Sequence, residues 1–121
     1  MQNAANAYRK VSNQTASPRE LEASLLLKAA SRLQAIKDSW DDGKANLDDA
    51  LLYNRKLWTI FLSSVTDSEN PLPKEIRQNV ANIGVFVMQQ TFSATAGRRP
   101  DQLTALITIN RELAAGLMAR V

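Results

Sequence analysis

Apolar residues recur along this chain every three or four positions, the period of an amphipathic helix, and no window keeps the alternate spacing of a strand. Turn-forming residues interrupt the pattern at Ser17-Pro18, Asp42-Gly43, Asn70-Pro71-Leu72-Pro73 and Gly97 to Pro100. The pattern predicts an all-α fold, a single-domain bundle of about five helices joined by short loops.

The first predicted helix covers residues 3–14, where only Tyr8 and Val11 carry useful apolar weight, too little to dock firmly. The second opens at Ser17-Pro18-Arg19-Glu20, with Ser17 as N-cap, Pro18 in the first turn and Glu20 able to close a capping box. Leu21, Leu25, Ala29, Leu33, Ile36 and Trp40 form its stripe and Leu26, Leu27 and Ala30 a second edge, up to a stop near Asp42-Gly43. The third starts at Asn46 and gathers Leu47, Leu51, Trp58, Phe61, Leu62 and Val65 on one face. The fourth follows the Asn70 to Pro73 turn. Ile76, Val80, Ile83 and Val87 line one side of it, and Ala81, Val85, Met88 and Phe92 line nearly the opposite side. The fifth begins near Pro100-Asp101 and carries Leu103, Leu106, Ile107, Leu113, Ala114 and Leu117.

Two features depart from a plain bundle. A fourth helix apolar on opposed sides is either a central core helix or one that offers a face to a partner, which makes Val85, Met88 and Phe92 candidate contact residues. Trp58 is either a core residue or a binding hot spot. In addition, Asn54 and Asn110 each sit in the middle of an apolar stripe, where an unpaired amide costs about 1–3 kcal/mol. They are expected to be buried and bonded to backbone groups at helix ends or in the Asn70 to Pro73 turn. A polar recognition point in a groove is the other reading.

Composition narrows the function. The chain has no cysteine and no histidine, which excludes thiol chemistry, imidazole acid–base catalysis and histidine zinc sites. The glycines are isolated, so no phosphate-cradling loop is present. Adjacent carboxylates such as Asp41-Asp42 and Asp48-Asp49 do not face each other on a helix. No catalytic constellation and no cofactor are expected, and the protein is not expected to be an enzyme.

Asp38, Asp42, Gly43 and Asp49 echo a calcium loop, but Trp40 stands where an oxygen ligand is required and Asp49 replaces the bidentate glutamate. A net charge of +3 is mild, and the pairs Arg9-Lys10, Arg55-Lys56 and Arg98-Arg99 fall on separate elements. Direct nucleic-acid binding is therefore not expected. The longest apolar run, Ile83 to Met88, is too short to span a bilayer, and residues 1–6 lack the pattern of a secretory signal. A cytoplasmic location is expected.

Several strings point further. Asn54-Arg55-Lys56-Leu57-Trp58, the turn Asn70-Pro71-Leu72-Pro73 followed by Ile76-Arg77, and Ile109-Asn110-Arg111-Glu112-Leu113-Ala114-Ala115-Gly116-Leu117 stand in one order with Ala7-Tyr8 and Pro18-Arg19-Glu20-Leu21-Glu22-Ala23. In that order they resemble the flagellar biosynthesis regulators of the FlaF family. The resemblance implies a small cytosolic non-enzyme tied to flagellin synthesis and export, acting on flagellin in a chaperone-like way together with the regulator FlbT. The family's motif maps onto Asn54, Trp58, Asn70, Pro71, Pro73, Asn110, Arg111 and Gly116. Terminal amphipathic helices of flagellin, unpaired before polymerisation, are the partner this implies, through a helix-in-groove contact. A direct RNA-binding regulator of flagellin mRNA and an adaptor without affinity for flagellin remain the alternatives.

Overall fold

The computed structural model describes residues 18–119, and the expected helix 3–14 and the Ser17 cap lie outside them. Four long helices, α1 (Pro18–Asp38), α3 (Leu47–Thr66), α4 (Lys74–Gly97) and α5 (Thr104–Met118), carry the fold, with a single turn, α2 (Trp40–Gly43), between the first two. Turns of 3₁₀ helix at Lys44–Asn46 and Pro100–Leu103 lead into α3 and α5, and no strand occurs among the described residues. The fold is all-α.

Helix α1 packs most extensively on α5 and also meets α3, while α4 lies against α3 and touches α5 only sparingly. The bundle is thus two helix pairs, α1 with α5 and α3 with α4, joined where α1 crosses α3. Lys28 and Arg32 of α1 lie over the ring of Tyr53 on α3, 5.7 and 5.0 Å from its centroid, at that junction.

The core differs from the expected stripes in three places. In α1 the buried face is Ala23, Leu26, Ala29, Ala30, Leu33 and Ile36, while Leu21 and Leu25 are half-buried. Helix α1 has to face both α5 and α3, which brings the expected second edge, Leu26 with Ala30, to the centre. The helix also stops at Asp38 rather than at Asp42-Gly43, because Ser39 leaves helical geometry (φ −129°, ψ 59°). Residues 38–49 therefore form helical turns rather than a calcium loop.

The third difference is α4, which is no central core helix. Its buried residues are Gly84, Val87, Thr91 and Ala94, a narrow strip that takes only Val87 from the two apolar stripes. Small side chains bring α4 close to α3, and a Cβ at Gly84 would strike the Leu62 side chain.

The α3–α4 connection is stitched by its own polar groups. Asn70 Nδ2 donates to the Ser64 carbonyl and hydroxyl (3.0 and 3.1 Å), and the Leu72 N–H donates to Asn70 Oδ1 (3.0 Å). One asparagine thus adds a second donor to the Ser64 carbonyl, which also accepts from the Asp67 N–H, and closes a turn. Pro73 then precedes α4, its carbonyl accepting from the Arg77 N–H (3.0 Å). Past the other end of α4, Arg98 rather than Gly97 takes the left-handed conformation (φ 53°). At Gly97 a Cβ would meet the amide end of the Gln102 side chain, which would have to shift. The Arg98 guanidinium reaches Asp48 (2.8 Å), at the start of α3.

Candidate functional site

The polar residues inside the bundle form a relay. Trp58 Nε1 donates to Asn110 Oδ1 (2.9 Å), and Asn110 Nδ2 donates to Asn54 Oδ1 (2.6 Å), linking α3 to α5 across the core. All three side chains are fully buried. The orientation follows from chemistry: indole can only donate, so it fixes the Asn110 oxygen, which turns the Asn110 nitrogen toward the Asn54 oxygen. Asn54 Nδ2 is left buried with no acceptor among the described residues. The expectation of burial holds, but the partners are side chains, not backbone groups at helix ends or in the Asn70 to Pro73 turn. Trp58 is corrected from candidate contact residue to core: it is 0% exposed and packs edge-on against Phe61 (centroids 5.7 Å apart). Of the other motif residues, Asn70, Pro71 and Pro73 shape the turn. Arg111 is exposed on α5, and nothing in the structure explains Gly116, where a Cβ would meet open space.

Helix α4 holds the other candidates. Val85 (54% exposed) and Phe92 (77%) point away from the core, whereas Met88 is half-buried against it. On the opposite flank Val87 is buried and Val80 half-buried, while Ile76 and Ile83 are exposed. Ile83 and Phe86 border a furrow whose far wall is Ile109, Glu112 and Leu113 of α5. Phe86 was not singled out by periodicity. The spacing of the small residues Gly84, Thr91 and Ala94 was the available signal, since it marks the face that docks and so leaves Phe86 outside.

A second cavity shares Leu113 with this furrow, and there Glu22 lies partly buried between the start of α1 and the end of α5. Burial raises its pKa above the ordinary 4.5, and the Arg19 guanidinium opposes the rise. Arg98 faces Asp48, Arg99 faces Asp101 (3.6 Å), and Arg9-Lys10 lies outside the described residues. No group of three carboxylates among the described residues is placed to hold a metal ion. No helix among them is long and apolar enough to cross a membrane.

A comparison with protein families matches residues 4–117 to flagellar protein FlaF. The chain belongs to the FlaF family. That membership makes it a flagellar protein, from a regulatory family and not a known enzyme family. No curated protein and no solved structure matches the chain.

Proposed function

We propose that this FlaF-family protein is a non-enzymatic regulator of flagellum biogenesis that binds flagellin in a chaperone-like way and, with FlbT, controls flagellin synthesis and export in the cytoplasm. The observation that supports this reading is the surface of α4, where Ile76, Ile83, Val85, Phe86 and Phe92 are all exposed on one helix. So many large apolar side chains on one element of a small domain mark a contact surface. Terminal helices of flagellin present apolar stripes that need cover before polymerisation, and a helix laid along α4 covers them. An α4 exposed on two sides can hold flagellin on one and stay open to FlbT on the other, with Val85 and Phe92 on the outward side.

Calorimetric titration tests the reading. Flagellin, and then its isolated terminal helices, are titrated into the full-length protein with and without FlbT. Saturable heat with co-elution supports flagellin binding. Absence of both, alone and with FlbT, removes it and favours the adaptor that touches only regulators.

A further inference from the structure

Two cavities meet along the seam between α4 and α5. One, of about 440 Å³, is lined by Asn82, Ile83 and Phe86 on one side and by Ile109, Glu112 and Leu113 on the other. The second, of about 280 Å³, lies where α1 begins and α3 ends, with Phe61, Val65, Leu72, Val80 and Leu117 among its apolar walls. Leu113 lines both, so the two adjoin at that side chain, and Ile109, Leu113 and Leu117 follow one another along the α5 side. From Ile109 to Leu117 this α5 wall runs about 12 Å at 1.5 Å per residue, two helical turns. That length takes apolar side chains at i, i+4 and i+7 of an incoming helix.

Charge narrows the occupant. The two linings carry Glu112 and Glu22 against the single cation Arg19, and every other lining side chain is uncharged. Glu22 is partly buried among apolar groups, and Arg19 does not fully offset that burial. A base arriving there restores the balance.

Resting on the flagellin reading above, we infer that this furrow seats a terminal helix of flagellin and selects one whose apolar stripe is flanked by a lysine or arginine, which Glu22 holds. Ile83, Phe86, Ile109 and Leu113 bury the stripe, and Glu22 sets the register and direction of the bound helix.

The test is methyl-detected NMR on the full-length protein, titrated with peptides of the two flagellin termini. Resonances of Ile83, Ile109, Leu113 and Leu117 are expected to move, while Ile60 and Leu52 on α3 stay still. Phe86→Asp should weaken binding at least about tenfold, the scale of a hot-spot loss, and Ile60→Asp should not. Glu22→Gln should weaken the native peptide several-fold, yet leave unchanged a peptide whose flanking base is replaced by glutamine. Binding that leaves the furrow methyls still overturns the furrow and spares the flagellin reading. No shift with either peptide or with intact flagellin overturns the flagellin reading and the furrow with it. Furrow shifts that follow the protein's own concentration, without peptide, assign the site to a second copy and overturn the proposal.

Discussion

Helices α3 and α4 pack against each other and are built in opposite ways. Helix α3 has 20 residues and buries eight of them, including Trp58, Leu51 and Phe61. Helix α4 has 24 and buries four, three of which are glycine, threonine and alanine. The longer helix contributes less to the core because it has one close neighbour rather than two. Its large apolar side chains therefore face outward, and its small ones hold it in place. Apolar content alone does not tell a core helix from a docking helix; the size of the residues on the buried strip does.

The sharpest way to break that contrast is to truncate the large side chain on α3. Trp58→Ala should cost about 3–5 kcal/mol in chemical denaturation, since it opens a core cavity and strands the Asn110 oxygen. Next come the amides, where the relay predicts an inequality. Asn110→Leu strands two groups, the Trp58 N–H and the Asn54 carbonyl, at about 1–3 kcal/mol each. Asn54→Leu strands only the Asn110 N–H and removes an amide nitrogen that is already unpaired, so it should cost less. Equal midpoints for the two variants would refute the direction of the relay.

On α4, Gly84→Leu should cost about 1–3 kcal/mol by overpacking against Leu62. Phe92→Asp, by contrast, should shift stability by no more than about 0.5 kcal/mol, as exposed positions do. A large loss at Phe92 would mean that α4 is core after all.

The smallest effect is electrostatic. The folded-state pKa of Glu22 lies above 4.5, so the folded protein holds this proton more tightly than the unfolded chain. The resulting stability is present below 4.5 and is lost as pH rises through the raised value. Glu22→Gln should remove that slope, and denaturation midpoints measured across this pH range will show it.

Much of this was legible in the sequence. The stripe of α3 and the Asn54 and Asn110 interruptions could be read because a helix buried along one face leaves a clear period. The Asn70 to Pro73 turn was legible because its residues act locally. The packing of α4 was not, since both of its stripes fit a core helix and only the tertiary arrangement leaves Ile76, Ile83, Val85 and Phe92 exposed while Val87 is buried. The amide partners were hidden as well: Asn54 and Asn110 are 56 positions apart, and nothing local shows that they meet. Nor could Glu22 be picked out, because its burial is created by α3, α5 and the turn together.

The attachment of α4 through one neighbour also bears on how the molecule opens. Releasing α4 frees only four buried residues of its own, whereas releasing α1 or α5 breaks the most extensive pairing in the bundle. Amide protons in the middle of α4 should thus exchange with solvent through a partial opening of lower free energy than global unfolding. Those of α1 should persist until the whole domain melts. The protein can then remain folded on α1, α3 and α5 while α4 swings aside, and the seam beside it can widen and close without any change in the core.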